Sequence, residues 1–149
     1  MKRTQVIRSP LAKVFEFFES PENLSIITPP WLRFVIKTPL PIDMRSGTVI
    51  EYTIRWLGIP VRWKTKITDY EPPLRFVDEQ ITGPYSLWHH THVFRETKGM
   101  TEMTDTVRYR LPFGIFGQLV HWLLVHRQLQ KIFDFRYRAI ETIFNSIHS

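Results

Sequence analysis

No cysteine occurs in the sequence, which removes disulfides, thiolate metal sites and cysteine nucleophiles together and suits a reducing compartment. Long apolar runs are missing as well: nothing approaches the roughly 18 to 20 residues that a membrane span requires. The opening MKRTQVIRSP carries no apolar segment of the secretory kind, so a cytoplasmic protein is expected. There is no internal repeat, low-complexity segment or interdomain linker, and no serine elbow, P-loop or dinucleotide fingerprint. Acidic charge is scarce, with 14 Asp and Glu against 20 Lys and Arg, a formal charge of +6. The cations are spread through VRWKTK, VRYR, VHRQLQK and FRYR, interleaved with apolar positions as on the wet faces of strands and helices. Without a nucleic-acid motif beside them, nucleic acid is not an expected partner.

What is present is a chain of 149 residues, 43% hydrophobic, enough for one domain (1–149) with a continuous core. After a short β-like run, Ser9 reads as a helix N-cap and Pro10 as the first helical residue, with Leu11, Val14, Phe15 and Phe18 at helical spacing. Ser20 and Pro21 end that helix and start a second short one through Ile27. From Trp31 to Leu111 the pattern becomes strand-like in six runs: WLRFVIKT, GTVIEYTIRWLG, VRWKTKITDY, LRFVDEQIT, SLWHHTHVFRE and GMTEMTDTVRYRL. The breaks are short, which favours an antiparallel meander. A long helix is then predicted from about Ile115 to Ile147, one face of it continuously apolar. The fold class is α+β: a seven-stranded antiparallel sheet that buries its concave face by curling around the last helix.

Strand alternation assigns the faces. In SLWHHTHVFRE, Trp88, His90, His92 and Phe94 share one side, and Leu87, His89, Thr91 and Val93 the other. Pairing this strand with the next through ETKG sets Arg95 against Met100, His92 against Met103, His90 against Asp105 and Trp88 against Val107. The opposite side carries Glu102, Thr104, Thr106 and Arg108, a solvated surface, so the side with Trp88 faces inward. VRWKTKITDY likewise turns Trp63 inward, and Tyr52 lies on the more apolar stripe of its strand. LRFVDEQIT leaves two choices open, since Phe76, Asp78 and Gln80 share one face and Val77, Glu79 and Ile81 the other.

An inner face that mixes tryptophan, two histidines and an aspartate is costly in a dry core, because each unpartnered buried polar group costs about 1 to 3 kcal/mol. A hydrated small-molecule pocket relieves that cost. Two histidines at i and i+2 with Asp105 also suggest a metal, but HTH is only two ligands deep and nothing else has ligand spacing, so none is expected. His90 beside Asp105 has the form of an oriented general base. FGIFGQLVHWLLVH, apolar nearly all round, reads as buried on several sides or as a surface that touches a membrane or partner.

FVDEQITGPYSLWHHTHVF, GMTEMTDTVRYRLPFG and QLQKIFDFRYRAI resemble the SRPBCC superfamily, also called START-like or birch-allergen-like, and within it the bacterial polyketide cyclase/dehydrase-like branch. The resemblance covers nearly the whole chain. It implies the helix-grip fold, a curved seven-stranded sheet around a long C-terminal helix with a deep hydrophobic cavity. It also implies that Asp78 and Gln80 point inward. The chain lacks the Cys and His pattern of a Rieske cluster, so that branch is excluded.

The expected pocket residues are Tyr52, Trp63, Phe76, Asp78, Gln80, Trp88, His90, His92, Phe94, Met103, Asp105 and Val107. The expected function is non-enzymatic carriage or sensing of a lipid, isoprenoid or polyketide-like molecule, without a cofactor, by a monomer or weak dimer. The alternatives are a cyclase or dehydratase using His90 with Asp105, and a lipid chaperone in transient contact with a membrane.

Overall fold

Strand β1 (Lys2–Ile7) turns at Ser9 and Pro10 into helix α1 (Leu11–Glu19). The computed structural model describes residues 1–146, and the side chains of all of these except 121, 122 and 146. Helix α1 buries Val14, Phe15 and Phe18 on one side. It begins one residue later than its sequence predicts: Pro10 is the extended residue before the first turn, and no side chain caps it. Ser9 serves the corner instead. It is buried, and its carbonyl accepts a hydrogen bond from Thr101 Oγ1 at 2.8 Å, tying the helix entry to the last strand.

A 3₁₀ turn at Pro21–Ser25 follows α1 where a second short helix is predicted. Another, Pro30–Leu32, takes residues predicted as strand, so that β2 shrinks to Val35–Ile36. Prolines 29 and 30 cannot donate to a ladder, which favours the turn over an early strand start. Strands β3 (Val49–Trp56), β4 (Ile59–Glu71), β5 (Arg75–Thr82), β6 (Leu87–Thr97) and β7 (Met100–Arg110) complete the sheet. Its seven strands run antiparallel in the order β1-β7-β6-β5-β4-β3-β2, the expected meander closed by β1 on β7.

Two hairpins close on Leu57–Gly58 and Lys98–Gly99, two-residue turns in which both residues have positive φ. That turn follows the twist of its strands and is cheap only with glycine in it. The second turn corrects the expected register. Thr97, not Arg95, pairs with Met100, so Phe94 faces Met103, His92 faces Asp105, His90 faces Val107 and Trp88 faces Tyr109. The slip is two residues, which changes partners and leaves every side chain on its predicted face.

After β7 a single helical rod comprises α2 (Gly114–Val120), one π-helical turn (His121–Val125) and α3 (His126–Ser146). Its predicted end at Ile147 lies outside the described residues. Val125, Leu129, Phe133, Ile140 and Phe144 are buried at helical spacing against the concave face of the sheet. Two apolar clusters result. One joins Ile54, Trp63, Tyr85, Val125 and Leu129; the other joins α1 with Phe76, Phe94, Met103, Ile140 and Phe144.

Candidate functional site

Between sheet, α1 and α3 lies a cavity of about 180 Å³. Its wall is largely aromatic and aliphatic. Tyr52 from β3, Trp63 from β4, Phe76 and Asp78 from β5, and Trp88, His90 and His92 from β6 all line it, seven of the residues that strand alternation or the resemblance places inward. Tyr52 stacks on Trp63, ring centroids 5.9 Å apart, and Trp63 meets Trp88 edge-on at 5.2 Å.

The remaining candidates stand off the wall. Phe94 is wholly buried because it fills the gap between β6 and α1, meeting Phe15 edge-on at 5.3 Å, and Met103 joins the same cluster. Val107 is also sealed in. Gln80 is a loop clamp: its Nε2 donates to the Tyr85 carbonyl at 2.7 Å and its Oε1 accepts from the Tyr85 N–H at 3.3 Å. Asp105 sits behind the histidines rather than on the cavity surface. Alternation gives a side chain's direction, and depth along that direction depends on what packs above it.

The polar wall is one connected group. His90 Nε2 donates to Asp105 Oδ1 at 2.9 Å, and His92 Nε2 donates to Asp78 Oδ2 at 2.9 Å. His92 Nδ1 lies 2.8 Å from the same Asp105 oxygen without hydrogen-bond alignment. Thus the contact of His90 with Asp105, expected across the ladder, forms diagonally, while His92 is the residue directly opposite Asp105. Phe76 stacks on the His92 ring at 4.2 Å and Phe133 meets His90 edge-on at 5.8 Å, shielding the group from bulk water.

Burial and partners then divide the two histidines. Burial pushes the pKa of His90 down, and the neighbouring His92 adds to it, so His90 stays neutral near pH 7. Burial acts on His92 in the same direction, but the two carboxylates outweigh it and raise its pKa. Burial alone would raise both carboxylates. Asp78 is instead lowered, chiefly by His92, and Asp105 is held well below the usual range by Arg136 and then by the histidines. When His92 is protonated, it and Arg136 balance the two carboxylates. Because the Asp105 carboxylate only accepts, a neutral His90 donates from Nε2 and keeps its lone pair on Nδ1.

Arg136 from α3 is the most informative lining residue absent from the predicted set. It stands seven residues after Leu129, three after Phe133 and four before Ile140, so the helical period already marks it as inward-facing. Its guanidinium carbon lies 5.6 Å from the Phe18 ring centroid and 5.9 Å from that of Phe133. Arg136 Nε and Trp63 Nε1 are both buried without a hydrogen-bond partner among the described residues. Both belong to cavity-lining side chains.

Asp78, His90 and His92 also offer three ligand atoms within 4.8 Å of one another, with Asp78 rather than Asp105 completing the set. A divalent ion there would have to break the hydrogen bond of His92 to Asp78 and spread two imidazoles whose centroids are 3.8 Å apart.

A curved antiparallel sheet gripping a long helix over a lined cavity defines a helix-grip protein. No protein-family model and no curated protein matches the chain, but solved structures do. TTHA0849 from Thermus thermophilus is 20% identical, with 100% of this chain and 99% of that one covered at a TM-score of 0.72. Ara h 8.0201 is 16% identical over 98% of this chain and 97% of its own, TM-score 0.63. A nucleoside-diphosphate sugar epimerase from Corynebacterium glutamicum matches 90% of this chain with 28% of its own length, at 22% identity and a TM-score of 0.59. At these identities the likeness is one of fold: the chain has the helix-grip fold.

Proposed function

We propose that the protein, as a single domain acting in the cytoplasm, binds a hydrophobic small molecule of lipid, isoprenoid or polyketide-like character and carries or senses it. The observation that carries this reading is the cavity itself, about 180 Å³ lined mainly by apolar and aromatic side chains with one polar wall. Apolar surroundings supply affinity, and a few placed polar groups fix orientation. The free donors of Trp63 and Arg136 favour a ligand with at least one acceptor oxygen, since a pure hydrocarbon would leave them unpaired. Native mass spectrometry of protein purified from its own host, with displacement of bound 1-anilinonaphthalene-8-sulfonate, tests it. The expected results are a retained organic mass and a probe signal abolished by Ile132→Trp, which fills the cavity. A protein that carries nothing and gives the same signal after Ile132→Trp would end this reading.

A second reading is supported by one geometric fact: His90 faces the cavity and is held by Asp105 at 2.9 Å. A neutral imidazole oriented by a carboxylate is an apt proton acceptor, and such general acid–base help is worth ~10² to 10⁴ in rate. The corresponding reaction is a cyclisation or dehydration of the bound ligand. Incubation with a hydrophobic β-hydroxyacyl thioester, followed by mass spectrometry for loss of water, tests it. Turnover that survives His90→Gln removes His90 from the chemistry, and absence of turnover leaves carriage alone.

A further inference from the structure

The first turns of the C-terminal rod contradict the usual fate of an apolar helix. Phe113 is 84% exposed, Ile115 85%, Phe116 81%, Leu119 61%, Leu123 58% and Leu124 54%. Positions 116, 119, 123 and 124 fall on one side of the helix. Gly117 is buried with no room for a side chain beside the Pro112 carbonyl, and Val125 is wholly buried. The exposed apolar side is therefore an addition to the packed core rather than a part of it.

Topology brings further apolar groups to the same end of the sheet. The β3–β4 turn, the start of β6 and the end of β7 meet there, because Trp56 pairs with Ile59 and Leu87 with Arg110. Leu57, Ile59 and Leu87 add exposed apolar surface. Charge is partitioned just as sharply. Between Glu51 and Asp69, between Glu79 and Glu96, and between Asp105 and Asp134 the chain has no carboxylate. The cations in these stretches include Arg55, Arg62, Arg108, Arg110 and Arg127, all exposed. An apolar patch whose flanking strand ends and helix carry exposed arginines along carboxylate-free stretches of chain suits a surface that is negative at its edge and apolar beneath.

We propose that this end of the molecule, centred on Phe113–Leu124, docks onto the surface of an anionic lipid bilayer. None of the described helices is long and apolar enough to cross a membrane. The rod head therefore lies in the headgroup region, its apolar side down and its arginines among the phosphates. Trp56, Tyr85, Trp88 and Leu129, which line the cavity from this end, then stand between the bilayer and the bound molecule. The docking rests on surface features alone and holds whatever occupies the cavity.

The test is co-sedimentation of the full chain with vesicles of phosphatidylcholine alone and of phosphatidylcholine mixed with phosphatidylglycerol. Binding is expected to the mixed vesicles, falling with salt and weak on the neutral ones. Arg55→Glu and Arg110→Glu should each weaken it by about fivefold or more, given roughly 1 kcal/mol per cation at a lipid surface. Phe113→Ser with Phe116→Ser should abolish it while the thermal midpoint stays put, since both side chains are exposed. Arg45→Glu, at the opposite end, should leave it unchanged. Equal binding to both vesicle types, no binding to either, or an equal effect of Arg45→Glu would overturn the proposal. So would a wild-type dimer, seen by sedimentation velocity, that Phe116→Ser dissociates while vesicles are ignored. Displacement of the cavity probe is read separately, so docking and ligand binding fail independently.

Discussion

Two adjacent histidines, His89 and His90, occupy opposite faces of one strand and ought to answer differently to the same substitution. His89 is partly exposed, 3.6 Å from a Glu79 oxygen on the outer face. His89→Ala should change stability by no more than about 0.5 kcal/mol, as at other surface positions. His90→Ala deprives buried Asp105 of its aligned donor and should cost about 1 to 3 kcal/mol. Thermal or urea unfolding of both variants checks this, and a larger loss for His89→Ala would invert the face assignment. The network also predicts a pH signature. His92 has a raised pKa, so its contribution is complete below its ordinary value near 6.5 and is lost as pH rises through the folded value. Asp105 is lowered, so its contribution is present above 3.8 and is lost as pH falls through its folded value. His92→Asn should therefore flatten the alkaline side of a plot of thermal midpoint against pH, and Asp105→Asn the acid side. An unchanged alkaline slope in His92→Asn would show that His92 is not the charged member of the pair.

At the scale of elements, turns decide what faces what. Lys98–Gly99 sets the β6–β7 register, and Gly99 at φ +75° occupies a conformation that L side chains resist. Gly99→Ala meets no neighbour within 4 Å, so its cost is conformational alone, about 1 kcal/mol. Unfolding of that variant measures it, and a neutral result would mean that the turn relaxes to another type. The α1 contact offers a contrast in origin and size. Phe94 touches Phe15, Phe18 and Phe76 with no exposed surface, and Phe94→Ala should cost about 3 to 5 kcal/mol through the cavity it leaves. Its strand position is legible from period-two alternation, whereas its wholly packed depth depends on a helix some eighty residues earlier in the chain.

For the whole molecule, a ligand that binds only the folded chain stabilises it by mass action, by about 2.7 kcal/mol at a free concentration one hundred times its dissociation constant. Arg136→Met should reduce that gain for an oxygen-bearing ligand more than for a hydrocarbon of equal size, because only the former uses the guanidinium. Thermal shift with a matched acid and alkane reads the difference, and equal losses would reduce Arg136 to a counter-charge for Asp78 and Asp105. The strand and helix order, the meander, the inward faces of β4, β6 and β7 and the apolar seam of the last helix were determined locally, since period and turn residues act within a few positions. The register slip of two, the shortening of β2 and the later start of α1 arise from turn and capping geometry that short-range pattern leaves degenerate. Only the tertiary structure decided which inward residues reach the cavity and which are sealed beneath α1. It alone decided that His92 holds both carboxylates within 3 Å while His90 reaches Asp78 only at 3.6 Å, and that the apolar rod head stays uncovered. Each of these depends on distances between segments far apart in the chain, where packing and charge act through space rather than along the sequence.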